Sequence, residues 1–144
     1  MKKKISLFLC CLLMIKSFGT EVAKVYANNY TDTTFSFSYY ADGSDTAISP
    51  REKQDNTASY IKNNASSPSL LVCVAGTNSA SSYSGINPNR CSSIVSVSSG
   101  SYKYISNTVY GNYTYAYLTL GTAQTNQTYT ISGKWSPDNI SNQY

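Results

Sequence analysis

The chain has 144 residues, no histidine, 12% charged and 13% aromatic residues, and a formal charge of +4. That length admits one domain. The missing histidine excludes Ser-His-Asp and Cys-His catalysis, and the two cysteines outside the first 27 residues are too few for a tetrahedral zinc site.

Met1-Lys2-Lys3-Lys4 is a basic start, Ile5 to Ile15 is an apolar run closed by Lys16, and Val25-Tyr26-Ala27 is a small-residue cleavage site. This is the pattern of a secretory signal peptide over residues 1–27, leaving a secreted domain over 28–144. The apolar run is too short to hold the chain across a bilayer, so no stable membrane anchor is expected. A lipoprotein would acylate Cys10 or Cys11, yet Leu9 and Cys10 stand where a small residue belongs. Cleavage removes five of the eleven bases and one of the seven acids, leaving six of each. The basic balance therefore belongs to the leader. A neutral domain lacks the clustered Lys and Arg that nucleic acid or anionic lipid requires.

The remaining chain is rich in Tyr, Ser, Thr and Asn, which favour pleated sheet over helix. Thr34 to Tyr40 alternates Phe35, Phe37 and Tyr39 with Ser36 and Ser38, and predicts a strand with one buried face. Ala41 to Asp45 predicts a turn. Its Asp42 and Asp45 hint at calcium, but that ion takes six to eight oxygens and a solvated turn is the simpler reading.

Pro50-Arg51-Glu52-Lys53-Gln54-Asp55 is the one dense charge run of a sparsely charged domain. It predicts a polar junction that leads into a strand over 56–62, with Ala58, Tyr60 and Lys62 on one face. A helix over 51–56 is the second reading, weakened by the lack of an apolar stripe at helical spacing. Leu70 to Ala75 is a continuous apolar run, expected to be a central strand buried on both faces. Thr77 to Arg90 is a long polar loop.

From Cys91 onward the pattern predicts a β-meander. Strands are expected at Ile94–Val97, Tyr102–Ile105, Thr108–Tyr110, Tyr113–Leu120 and Thr128–Trp135. Gly111-Asn112 is read as a short hairpin between two of them. The total is about seven or eight strands, an antiparallel β-sandwich or barrel.

Cys10 and Cys11 leave with the leader. Cys73 and Cys91 remain, and an even count in an exported chain argues for a disulfide. The loop it closes would be worth on the order of 3 kcal/mol. Two separate thiols are the other reading.

No phosphate loop, dinucleotide fingerprint or metal motif is present, and no cofactor is expected. Glu52 and Asp55 are the one close carboxylate pair with basic neighbours, so a polysaccharide-acting hydrolase would use one of them. Two acids three residues apart on one segment are poorly placed to face each other across a cleft. Arg51, Glu52, Lys53, Asp55 and the distant Asp138 are expected instead to form a structural polar network. Arg51 or Lys53 near Trp135 or Asp138 would bring the charged run and the last strand together.

Thirteen tyrosines remain after cleavage. Tyr113, Tyr115 and Tyr117 share one face of a predicted strand, and with Trp135 they form the candidate binding face. Such rings could stack on sugars or dock on protein, or they could fill a core.

Two motifs carry a resemblance. Arg51-Glu52-Lys53-x-Asp55 ahead of Ser59-Tyr60, and Gly133-x-Trp135-Ser136-Pro137-Asp138 near the end, resemble an uncharacterised family of small secreted proteins of Gram-positive bacteria. Cys73 and Cys91 fall outside its pattern. The resemblance implies export and a β-domain, and supplies no activity. The expectation is a secreted, non-enzymatic β-domain that binds glycan or protein at a bacterial cell surface, including a bacteriocin-like role. A self-assembling extracellular protein is a further alternative, with concentration-dependent oligomers as its sign.

Overall fold

The computed structural model describes residues 29–81 and 89–139. The predicted leader, residues 82–88 of the polar loop and the last five residues lie outside the described residues. Nine strands are described: β1 (Thr33–Tyr40), β2 (Thr46–Ala47), β3 (Arg51–Glu52), β4 (Ser59–Asn63), β5 (Leu70–Thr77), β6 (Val95–Val97), β7 (Tyr102–Ile105), β8 (Tyr115–Gly121) and β9 (Thr128–Ser136). There is no helix among the described residues.

One sheet has the order β1-β9-β4-β7 and the other β2-β8-β5-β6, with β3 also paired to β8. Every pairing is antiparallel. The result is a small β-sandwich. Its core forms where Val72, Val74, Leu118 and Leu120 of one sheet meet Ile61, Ile131 and Trp135 of the other. Burial of this continuous apolar surface is the main favourable contribution to folding.

β1 follows from its alternation. Phe35, Phe37 and Tyr39 turn inward, and Ser36 and Ser38 face out. β5 is buried on both faces over Val72–Thr77, as its unbroken apolar run requires.

The meander does not form. The chain passes from β6 in one sheet to β7 in the other, back to β8, then back to β9. Gly111-Asn112 therefore lies on a connection between sheets. Residues 108–110 are not a strand; the chain turns there through Asn112 N–H and Tyr113 N–H, both donating to Val109 O at 3.0 and 2.8 Å. Val109 is fully buried and anchors the crossing. The turn signal was local and sound, but turn chemistry does not say which sheet receives the next strand.

β2 and β3 had no periodicity to announce them. Thr46 opposes Leu120 and Ala47 opposes Thr119, whereas Arg51 opposes Ala116. The outer strand thus spends one more residue than β8 over this interval, a bulge around Ser49-Pro50. Pro50 brings no N–H to the ladder, which suits an interrupted edge.

Gly133 sits in the middle of β9, opposite Phe35 on one side and Asn63 on the other. A methyl there would overlap the Lys62 carbonyl oxygen and approach Phe35 Cζ to 2.7 Å. The bare glycine lets that ring lie over the strand. Gly133→Ala is expected to cost about 1–3 kcal/mol, the usual range for an overfilled core. Urea unfolding of the variant checks this, and a midpoint equal to wild type would contradict it.

Candidate functional site

The charged run and the end of β9 are joined by a buried ion pair. Lys53 Nζ lies 2.7 Å from Asp138 Oδ1, and both side chains are fully buried. The ammonium also donates to Thr57 O at 2.5 Å and Pro137 O at 2.8 Å. Its three protons are thereby all used. Asp138 Oδ2 accepts the backbone N–H of Asn29 and of Gln54, at 3.1 and 3.0 Å. Ser59 Oγ donates to Pro137 O at 2.8 Å, and Asn139 N–H donates to Thr57 Oγ1 at 2.8 Å. A buried charge pair is tolerable only when satisfied in this way.

Arg51 forms the outer half of the junction. Its Nη1 donates to Thr31 O at 2.7 Å and Trp135 O at 3.1 Å, and its Nη2 donates to Asn29 Oδ1 at 2.7 Å. Its Cζ stands 5.8 Å from the centre of the Trp135 ring, within cation–π range. Burial pulls the guanidinium pKa below its ordinary value, against the opposing pull of Asp138 and Asp32. Asn29 Nδ2 completes the clamp by donating to Glu52 O at 3.0 Å. The start of the domain, the edge strand β3 and the end of β9 are thus held at one point.

Glu52 and Asp55 stand differently. Glu52 is exposed and accepts Gln54 Nε2 at 3.2 Å. Asp55 Oδ1 accepts both Thr57 N–H, at 2.8 Å, and Thr57 Oγ1. It turns the chain and lies 3.9 Å from Lys53 Nζ. Asp42 does the same one turn earlier: its Oδ1 accepts Ser44 N–H and Ser44 Oγ at 2.8 and 2.5 Å. These bonds hold the Asp42 carboxyl below the usual carboxylate pKa. Among the described residues no cluster of three potential metal ligands occurs.

The expected disulfide is corrected. Cys73 and Cys91 are both buried and are not joined. Cys91 N–H donates to Val74 O at 2.9 Å, which sets Cys91 opposite Val74 and on its face, in the core. Cys73, one residue along β5, points to the other face, where its Sγ lies 3.0 Å from Thr119 Oγ1. Period two separates them. Burial pushes the Cys91 thiol pKa up.

The expected binding face is corrected as well. Tyr117 is 1% exposed and Trp135 is fully buried. Tyr113 packs against the core, with its ring over Gly76, where a side chain would collide with it. Tyr115 is half-buried. The alternation was misleading because β8 is a central strand with both faces covered.

A different aromatic cluster is exposed. Tyr60 of β4 opposes Tyr104 of β7, and Lys62 opposes Tyr102. The three rings touch on the outer face of the first sheet: Tyr60–Tyr104 at 5.3 Å, Tyr102–Tyr104 at 5.8 Å and Tyr60–Tyr102 at 6.1 Å between centres. Tyr102 is 59% exposed. With Tyr30, Asp32, Ser136 and Asn139 the rings line an open groove of about 690 Å³. Lys134 pairs with Asp32 at 2.6 Å beside it. That bond holds the Lys134 ammonium above its ordinary pKa. Partial burial raises the Tyr60 phenol pKa. The sequence signal was present: Tyr60 and Lys62, like Tyr102 and Tyr104, occupy alternate positions on strands whose other face buries Ile61 and Ile105.

A model of the family described as Protein of unknown function (DUF2712) matches residues 23–139. No curated protein and no solved structure matches the chain.

Proposed function

We propose, for a chain that belongs to this family of proteins of unknown function, the role of a secreted, non-enzymatic module that binds glycan at a bacterial cell surface. One observation carries the reading: Tyr60, Tyr102 and Tyr104 present a contiguous aromatic platform on a rigid sheet. Contiguous exposed apolar surface rimmed by polar groups marks binding sites. The apolar C–H face of a sugar ring lies on such a platform. Its hydroxyls meet the carboxylate of Asp32 beside the rings, while Ser136 and Asn139 lie buried at the base of the groove. Tyrosine suits this work, with a large apolar area and few torsions to freeze. The leader read at residues 1–27 and the resemblance to secreted Gram-positive proteins support the compartment. The near-neutral domain is consistent with an uncharged ligand.

The test is binding of the domain to fractionated cell-wall polysaccharide by titration calorimetry. Each of Tyr60→Ala and Tyr102→Ala is expected to weaken binding roughly two- to tenfold, the effect of about 0.5–1.5 kcal/mol per ring contact. Tyr110→Ala, an exposed ring on the intersheet connection, is expected to bind as wild type. Undiminished binding by a Tyr60→Ala/Tyr102→Ala double variant would sink the reading.

A further inference from the structure

We infer that β1 pairs with β1 of a second copy of this chain, joining two four-stranded sheets into one. Among the described residues β1 has a hydrogen-bonded neighbour, β9, on one side only. The pattern of bonds shows what the other side offers. Ala41 N–H donates to Gln127 O, and Asn64 N–H donates to Ser132 O on the opposite flank of β9. Hydrogen-bonded and non-bonded pairs alternate in an antiparallel ladder. Phe35, Phe37 and Tyr39 therefore bond to β9, and Thr34, Ser36 and Ser38 direct their N–H and C=O groups outward along the free edge, as Tyr40 does its N–H, its carbonyl oxygen already accepting Asp42 N–H at 3.1 Å. All four residues are exposed.

Natural sheets blunt such edges with short strands, bulges, proline or lysine. The other edges of this sandwich carry these devices. β2 and β3 are two residues each, separated by the bulge at Pro50. β6 has three residues, and β7 has four with Lys103 among them. β1 runs eight residues in unbroken register, without charge, proline or bulge. Its sequence TTFSFSYY is high in β propensity.

A second observation falls on the same edge. Phe35 and Phe37 are only partly buried, with ring centres 6.3 Å apart. They line a cleft of about 370 Å³ that runs along β1 toward Ile48 and Arg51. An antiparallel partner covers these rings as well as the backbone. A second copy is the occupant that meets both needs at once. A two-fold axis through Phe37 sets Ser36 opposite Ser38 and Thr34 opposite Tyr40, each outward-directed on both chains. It sets Phe37 against its own copy and Phe35 against Tyr39, and such aromatic cross-strand pairs stabilise sheets. The contact is self-complementary and closes at two copies. The axis is perpendicular to the sheet, so both tyrosine platforms face the same way. Six strand spacings put them roughly 30 Å apart. The pairing itself does not depend on the glycan reading.

Sedimentation equilibrium of the protein lacking residues 1–27 tests it. The wild-type mass is expected to rise from one chain to two with concentration. Ser38→Pro removes an outward N–H without touching the β9 ladder, and Ser36→Lys places a charge on the same edge. Both are expected to stay at one chain over that range, with circular dichroism matching wild type. A wild type that remains monomeric, or that grows past two copies, overturns the inference. So does a dimer that survives whichever of the two variants is folded.

Discussion

Lys53→Met is expected to lower the stability of the domain by about 3–5 kcal/mol, the usual loss when one partner of a buried ion pair is removed. The reason lies in what stays behind. Asp138 keeps its charge in a fully buried position, while Thr57 O loses its donor and Pro137 O keeps only Ser59 Oγ. A single domain holds only about 5–15 kcal/mol in all, so the variant should unfold at markedly lower urea concentration. Asp138→Asn is expected to be damaging by another route. The amide keeps the shape but leaves the ammonium without an anion, and whichever way it turns, its NH2 meets a donor, Lys53 Nζ on one side or Asn29 N and Gln54 N on the other. The double variant is the decisive measurement. With both charges gone, much of the penalty disappears, and the combined loss falls short of the sum by about 0.5–3 kcal/mol. Strict additivity would mean that the two groups do not act as a pair.

The same junction shows how far the sequence could be read. Charge is so scarce in this domain that Arg51, Glu52, Lys53 and Asp55 stood out before any fold was known, and Asp138 was the natural distant partner. Which base meets which acid was not legible, because that depends on the bulge that carries Lys53 inward past Pro50. β1, with one buried face, announced itself by period two. β2 and β3 did not, since two residues have no period and are defined by their bonds to β8. The tyrosines mark the sharpest limit. Tyr113, Tyr115 and Tyr117 alternate as cleanly as any exposed row, but alternation separates two faces without saying which is covered. Tyr60, Tyr102 and Tyr104 come from two strands, and only the pairing of β4 with β7 makes them one surface. The cysteines failed for a related reason. Eighteen residues of separation permits a disulfide, but one step of strand parity puts Cys73 and Cys91 on opposite faces.

Trp135→Ala is expected to cost about 3–5 kcal/mol, and Trp135→Phe less than about 1 kcal/mol, although both remove the indole. Trp135 is the largest fully buried side chain, set where the core meets the junction. Truncation to alanine leaves a cavity beneath Arg51 and removes the ring its guanidinium rests on. The indole N–H, however, is buried with no hydrogen-bond partner among the described residues. An unsatisfied buried donor is itself unfavourable by about 1–3 kcal/mol. Phenylalanine loses some packing volume but removes that burden, and the two effects oppose each other. The guanidinium keeps an aromatic face in the phenylalanine variant and loses it in the alanine variant. Arg51→Ala should therefore be less damaging on the Trp135→Ala background than alone, by about 0.5–1 kcal/mol for the cation–π contact. Thermal and urea unfolding followed by circular dichroism give all four values. Equal losses for phenylalanine and alanine at position 135 would mean that the indole nitrogen is satisfied, and additivity with Arg51 would mean that the cation and the ring do not interact.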